Sequence, residues 1–233
     1  HSPLDAPKAL LLVELDSGQI ARSIPLPANR LGAPLVQGDT AYCVGGDGSL
    51  FAIGLAQGKT EWRLPGVASL SPYPPALAGQ RLILPGSAPF LTAVDLAERR
   101  VVWRVEASGQ TPYFLPSPLA VADTVYAANW NGSLYALDAA SGAQRWRWEL
   151  PAGDGSRLCV LDQTPLLAGD LLLIASYDHH LYAIERESGQ TRWRSPDLGR
   201  RIYSRPARVG DAVYVAAFRH ELHAFRLADG AAL

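Results

Sequence analysis

Gly132-Ser133-Leu134-Tyr135-Ala136-Leu137-Asp138 begins the stretch that decides the fold, and Ser141-Gly142 and Trp146-Arg147 complete it. The pattern returns three more times in the 233-residue chain, and each intact copy has Trp four residues after Gly. These further copies start at Gly48, Leu91 and His180, and the second of them has Arg99 where Gly is expected. Such recurrence indicates a repeat architecture, in which a unit buries its apolar faces only against its neighbours.

A proline upstream of each copy marks the start of a unit, and a fifth such proline starts the last unit of the chain. Five such prolines are spaced 41, 43, 47 and 41 residues apart: Pro34, Pro75, Pro118, Pro165 and Pro206. Because proline has no N–H for a ladder, it is tolerated only at the first residue or the edge of a strand. Each unit then holds four short β-rich runs, such as 119–121, 124–128, 133–137 and 143–148. Four strands in about 40 to 45 residues predict the blade of a β-propeller, and hence an all-β fold.

The residue types inside the unit agree with that prediction. Middle runs such as Leu134 to Leu137 are apolar on both faces, which is typical of a sheet covered on both sides. The turn Asp138 to Gly142 uses Asp for side-chain-to-backbone bonds and Gly for a positive φ. We expect the Trp of the last strand to bury its flat ring against the next blade.

Composition limits the classes of function. With 21 Lys and Arg against 22 Asp and Glu, the net charge is -1, so nucleic acid is not an expected partner. Apolar runs such as Ala9 to Val13 fall far short of the about 18 residues of a membrane span, so no direct membrane insertion by this segment is expected. The chain contains no Met, which indicates a processed form or an excised segment in which a signal or anchor would not be visible. Cys43 and Cys159 are too few for a disulfide framework, and whether they pair stays open.

The motifs resemble the PQQ-like, or quinoprotein alcohol dehydrogenase-like, β-propeller repeat, with its signature Gly-x-Leu-Tyr-Ala-Leu-Asp-x-x-Thr-Gly-x-x-x-Trp. The resemblance extends over about residues 9 to 233. A WD repeat would need Gly-His and Trp-Asp pairs, and neither dipeptide occurs here. The resemblance implies a single domain over residues 1–233, built of four-stranded antiparallel blades.

The two ends of the chain decide the number of blades. Leu10 to Leu15 and Gln19 to Leu26 have the pattern of a third and a fourth strand, and the last unit stops at Leu233, just before its expected Trp. We therefore predict five blades, at residues 31–73, 74–112, 113–158, 159–201 and 202–233, with residues 9–27 completing the last and closing the ring. The N-terminal third strand is then surplus, which leaves open six blades or a piece of a larger ring.

In propellers, ligands meet the mouth of the central channel, and the resemblance places two sets of loops there. These are the turns between second and third strands and the segments that enter each first strand. Aromatic rings and arginines in them offer a large apolar contact and forked donors, which suits a recognition surface. The alternative is that the rings pack structurally across adjacent hairpins. The candidate binding residues are Trp130, Asn131, Tyr177, Asp178, Phe218 and Arg219 in the turns, and Tyr73, Tyr113, Asp162, Tyr203 and Arg205 in the entry segments.

Metal binding and catalysis have weaker support in the sequence. His179 and His220 align at neighbouring turns, and neutral imidazoles suit Zn²⁺, so these two are candidate metal ligands. Asp162 is the acidic residue near the predicted mouth, so neither an acid–base pair nor a Ca²⁺ cage is evident. Cys43 and Cys159 are 116 residues apart and cannot form the vicinal pair of the quinoprotein dehydrogenases. We expect no enzyme activity and no cofactor.

By resemblance, the expected function is a non-catalytic binding module for a protein partner. It would act outside the bacterial cytoplasm, in the periplasm, as a scaffold or as a sensor domain like those appended to membrane-anchored kinases. The alternative is a small-molecule sensor or quinoprotein-type domain that binds pyrroloquinoline quinone, with or without Ca²⁺, at the channel mouth. The carboxylates of the quinone would then face Arg205 or Arg201.

Overall fold

Each proline-marked unit folds as an antiparallel sheet of its own. A computed structural model describes residues 9–25, 30–107, 113–114, 116–151 and 161–233, and these form 21 strands without a helix. The N-terminal hairpin consists of β1 (Ala9–Val13) and β2 (Ile20–Pro25). Sheet 1 contains β3 (Leu35–Gln37), β4 (Thr40–Val44), β5 (Leu50–Gly54) and β6 (Lys59–Leu64). Sheet 2 contains β7 (Ala76–Ala78), β8 (Arg81–Leu84), β9 (Phe90–Asp95) and β10 (Arg100–Glu106).

The next three sheets follow the same order of short and long strands. Sheet 3 contains β11 (Leu119–Val121), β12 (Thr124–Ala128), β13 (Ser133–Asp138) and β14 (Gln144–Glu149). Sheet 4 contains β15 (Leu166–Ala168), β16 (Leu171–Ala175), β17 (Leu181–Glu185) and β18 (Thr191–Arg194). Sheet 5 has three strands, β19 (Ala207–Val209), β20 (Ala212–Ala217) and β21 (Glu221–Arg226).

The first strand of every sheet begins directly after its proline, as the sequence predicts. β3, β7, β11, β15 and β19 each have three residues, and each is followed by a tight turn to the second strand. That turn needs a positive φ, which Gly supplies in four sheets and Ala122 adopts in sheet 3 at 51°. Proline therefore sets the start of the strand, and the turn residue sets its end.

Neighbouring sheets are joined by a tryptophan that covers a glycine. In the joint between sheets 3 and 4, the indole N–H of Trp146 donates to the carbonyl oxygen of Arg186 at 3.0 Å. A Cβ on Gly189 would lie 2.7 Å from the indole carbons, so only glycine leaves room for the ring. The same joint recurs twice, as Trp103 with Ala139 and Gly142, and as Trp193 with Leu227 and Gly230.

Two joints use arginine and keep the same geometry. Arg99 stands at the glycine position with a φ of 52°, and its guanidinium lies 5.6 Å from the ring centre of Trp62. In the N-terminal hairpin, Arg22 takes the place of the tryptophan over Gly58 and donates to the carbonyl oxygen of Leu55 at 3.1 Å. The hairpin therefore packs on sheet 1 in the same way as sheet 1 packs on sheet 2.

The apolar core lies between consecutive sheets, and its clusters of buried side chains run from the hairpin with sheet 1 to sheet 4 with sheet 5. In β13, Tyr135 and Leu137 pack toward sheet 2, and Leu134 and Ala136 pack toward sheet 4. All four side chains are at most 3% exposed. No helix of the described ranges is long and apolar enough to cross a membrane.

The ends of the chain lie in different sheets. Within the described residues, β1 and β2 are hydrogen-bonded to each other as a separate hairpin, and Ile24 packs that hairpin on sheet 1. The fourth strand of sheet 5 is begun by the C-terminus itself, where Ala232 bridges Phe225. The expected completion of the last sheet by residues 9–27 is therefore absent from this hydrogen bonding. The number of blades and their boundaries stay a prediction.

Candidate functional site

One carboxylate gathers three aromatic side chains from different sheets. The indole N–H of Trp130 donates to Asp162 Oδ1 at 3.0 Å, and the Tyr177 hydroxyl donates to Asp162 Oδ2 at 3.0 Å. The Tyr73 hydroxyl lies 3.4 Å from Asp162 Oδ1. Tyr73 and Asp162 come from entry segments, and Trp130 and Tyr177 come from turns between second and third strands. Both predicted sets of loops thus meet in one cluster.

The turn that carries Trp130 is fixed by its own side chains. The Asn129 Oδ1 accepts the N–H groups of Asn131 at 3.1 Å and Ser133 at 2.9 Å. The backbone N–H of Trp130 donates to the carbonyl oxygen of Tyr113 at 3.1 Å, which ties the turn to the entry segment of the same sheet. Asn131 therefore takes part in shaping the turn, and Trp130 is held in place on Asp162.

The hydrogen bonds of the cluster are matched by its electrostatics. Burial, followed by the Asp162 carboxylate, raises the pKa of Tyr177 and of Tyr73. Both phenols therefore stay protonated at neutral pH and remain donors. Since three donors share the two oxygens of Asp162, this carboxylate is engaged in holding the cluster together.

A row of aromatic rings continues from the cluster to the surface. Tyr203 lies 4.9 Å from Tyr177 and 5.7 Å from Phe218 between ring centres. Tyr203 is 40% exposed and Phe218 is 56% exposed. The guanidinium of Arg201 lies 5.8 Å from the ring centre of Tyr177, a cation–π contact. We name Tyr73, Trp130, Asp162, Tyr177, Arg201, Tyr203 and Phe218 the rim cluster.

Other residues expected at the rim lie elsewhere or stay apart from the cluster. Asp178 is 8% exposed and accepts the Tyr182 hydroxyl at 2.5 Å, so it faces the interior of sheet 4. Arg205 is exposed and lies 3.4 Å from the carbonyl oxygen of Pro165. Arg219 is exposed with a φ of 71°. Tyr113 lies 6.4 Å from Trp130 in an edge contact. Sequence reasoning named Arg201 only as a partner of the quinone carboxylates and not among the binding residues, because its contact with Tyr177 depends on how two loops meet.

The two candidate metal ligands occupy strained positions. His179 and His220 have φ angles of 79° and 68° at the turn position that Gly48 and Gly132 hold in other sheets. His179 Nδ1 lies 3.3 Å from the carboxylate of Asp197, and His220 is exposed. The part of the chain that the structure describes contains no group of three or more His, Cys, Asp or Glu placed to hold a metal ion. The histidine site therefore stays a prediction without a third ligand.

The residues around Asp162 do not fit the quinone that the repeat resemblance implies as the alternative ligand. A Ca²⁺–quinone site needs several open oxygen ligands, whereas the oxygens of Asp162 already accept Trp130 and Tyr177. Cys43 is 2% exposed, and burial raises the pKa of its thiol to about 12. Cys159 lies outside the described residues. The donor set around Asp162 is that of a structural hub.

The sequence of this chain is similar to two curated proteins. It is 32% identical over 123 residues to the serine/threonine-protein kinase AfsK of Streptomyces griseus, which covers 49% of the chain and 15% of the kinase. It is 26% identical over 163 residues to outer membrane protein assembly factor BamB of Yersinia pestis, which covers 63% of the chain and 42% of that protein. The chain thus spans less than half the length of either relative.

Two solved structures resemble this one in fold. BamB from Moraxella catarrhalis has a TM-score of 0.76 at 24% identity, over 93% of this chain and 67% of the other. The quinohemoprotein alcohol dehydrogenase ADHIIG from Pseudomonas putida HK5 has a TM-score of 0.68 at 14% identity, over 87% and 41%. These likenesses, with the four-stranded antiparallel sheets, confirm the predicted β-propeller fold.

The match to a family extends over nearly the whole sequence. The PQQ-repeat family described as outer membrane protein assembly factor BamB matches residues 8–111 and 32–233. This agrees with the repeat signature at Gly132 to Trp146 and with the sheet order that the signature produces. The chain belongs to the PQQ-repeat family described as outer membrane protein assembly factor BamB.

Proposed function

We propose that this chain is a non-catalytic binding module that holds a protein partner at its rim cluster, outside the bacterial cytoplasm. The observation that carries the proposal is the continuous row from Tyr177 through Tyr203 to Phe218, whose outer two rings are 40% and 56% exposed. A row of rings that is fixed at one end and open at the other gives a partner a rigid apolar anchor.

The chemistry of the row suits a protein partner. Tyrosine, tryptophan and arginine are the residues that most often dominate binding energy at protein interfaces. Tyr203 and Phe218 offer apolar area, and Arg201 beside Tyr177 adds a forked donor. The hydrogen bonds of Tyr177 and Trp130 to Asp162 fix the inner part of the row before binding, which lowers the entropy cost of association.

A catalytic function has less support at this site. Asp162 shares its oxygens among three donors and is not placed as a free general base.

The relatives support two settings for a binding module. Two of them are named BamB, an outer membrane protein assembly factor, and this name supports a scaffold and an extracytoplasmic location. The likeness to AfsK supports the sensor reading, in which a module of this kind is joined to a kinase.

Site-specific photo-crosslinking tests the proposal. A photoreactive phenylalanine analogue at position 218 should form a discrete adduct with one protein in cells. The adduct should disappear with Arg201→Ala and Tyr203→Ala combined, because these changes remove the neighbours of the anchor. A matched control is the same analogue at Val36, which is 55% exposed and lies in sheet 1, whereas the row is built from sheets 4 and 5. Equal labelling from positions 36 and 218, or an adduct that survives the double change, would contradict the proposal.

A further inference from the structure

One position of the third strand is aromatic in three of the four complete sheets. Phe51, Tyr135 and Tyr182 lie seven residues before the turn glycine, and each is at most 3% exposed. Their rings face the preceding sheet and fill the space at its edge. In sheet 2 this position is Thr92, which is 1% exposed and has no ring.

An arginine next to the joint tryptophan accompanies these rings. Arg63 lies with its guanidinium 5.6 Å from the ring centre of Phe51, and Arg147 lies 5.2 Å from that of Tyr135. Sheet 2 keeps the arginine as Arg104, although Thr92 leaves it no ring to cover. Arg104 instead donates to the backbone carbonyl oxygen of Gly66 at 3.2 Å, at the edge of sheet 1.

A cleft lies where the missing ring would be. It has a volume of about 140 Å³ and is lined by Gly66, Val67, Ala68, Ser69, Ala88, Phe90, Thr92 and Arg104. A buried cavity of about 150 Å³ is enough to bind benzene. The cleft is therefore of the right size for one aromatic ring, with Thr92 as its floor and Arg104 beside it.

We propose that this cleft binds a single phenol-type aromatic ring, presented by a small molecule or by a tyrosine side chain. The other sheets show which group fits, because Phe51 and Tyr135 fill the equivalent place beneath their arginines. A bound ring gains the cation–π contact that Arg104 does not make within the described residues, and it buries apolar area against Val67 and Phe90. The site is separate from the rim cluster and does not depend on the function proposed for it.

Titration with p-cresol, the side-chain analogue of tyrosine, tests the site on the intact chain by protein-observed NMR. Wild-type protein should bind one equivalent saturably, with a dissociation constant on the order of a millimolar, as expected of so small a ligand. Thr92→Tyr supplies the ring that the other sheets have and should abolish binding. Arg104→Ala should weaken binding about threefold or more, the size of an exposed cation–π contact.

Arg147→Ala is the matched control, because Arg147 covers a ring that the protein already has, and it should leave binding unchanged. Should Thr92→Tyr fail to fold, the exposed Arg104→Ala change still tests the site. Tighter binding of N-acetyltyrosinamide than of p-cresol would assign the ring to a protein partner, and the reverse would assign it to a free phenol. Absence of saturation up to the solubility limit of p-cresol, or undiminished binding in both variants, would overturn the proposal.

Discussion

The joint between sheets 3 and 4 can be tested by adding one methyl group. In Gly189→Ala, the new Cβ would lie 2.7 Å from the indole of Trp146, closer than any relaxed contact, so the ring must move. Overpacking of this kind costs about 1–3 kcal/mol. A shift of the ring also weakens the hydrogen bond from Trp146 to Arg186, which is worth about 1 kcal/mol.

Gly38→Ala is the control for backbone strain. Gly38 has a φ of 57°, close to the 70° of Gly189, and a Cβ on it would meet nothing within 4 Å. Both changes place alanine in the left-handed region at about 1–2 kcal/mol, so this cost cancels between them. We expect Gly189→Ala to be less stable than Gly38→Ala by about 2–4 kcal/mol.

Denaturant unfolding followed by circular dichroism measures this difference. Trp146→Phe removes the N–H and one of the two fused rings, so alone it should cost more than the about 1 kcal/mol of the lost hydrogen bond. Combined with Gly189→Ala it should cost less than the sum, because both changes break one joint. Equal stabilities of the two glycine variants, or additive costs in the pair, would refute the reasoning.

Three further predictions concern Cys43, Asp138 and the binding of the quinone. Because burial raises the pKa of the Cys43 thiol to about 12, it should not react with a disulfide reagent at pH 8 in the native state; a native reaction that Cys43→Ser removes would contradict this. Hydrogen bonds led by that from Arg145 lower the pKa of Asp138, so its contribution to stability is present above about pH 4 and is lost as the pH falls through the lower native value. Acid unfolding should therefore begin at a higher pH in Arg145→Ala, and an unchanged midpoint would count against the pair. Pyrroloquinoline quinone, with or without Ca²⁺, should not change Trp fluorescence saturably, because Trp130 and Asp162 already bond to each other; a stoichiometric change would reopen the quinone reading.

The fold could be predicted from the sequence because its determinants are local. Proline marks the start of the first strand in each sheet, and glycine marks the turn that the tryptophan of the preceding sheet covers, while each sheet's own tryptophan follows its glycine by four residues. Even the exception could be located, since Arg99 replaces glycine within an otherwise intact copy. How the ends meet could not be predicted, because β1 and β2 carry the pattern of a third and fourth strand whichever neighbour they have.

The candidate site was only partly within reach of sequence reasoning. The aromatic turn positions of Trp130 and Tyr177 are equivalent in the repeat, and so they could be placed on one rim. The entry-segment Asp162 was expected near them, but its three hydrogen bonds depend on distances between loops of different sheets. Asp178 has the same local signals as a rim residue, and only the reach of the Tyr182 hydroxyl shows that it faces inward.

The tryptophan joint has a consequence for how such a gene can change. The indole N–H donates to a main-chain carbonyl oxygen, and the indole ring packs on a glycine, so the joint depends little on the side chains of the neighbouring sheet. Gly18 forms the same kind of turn with a φ of 67°, and no ring of the described residues covers it, so the turn has the geometry to receive a further unit. A DNA segment that encodes one unit can thus be duplicated, deleted or exchanged in frame, and the tryptophan of each sheet still meets a turn glycine and a main-chain acceptor in the next.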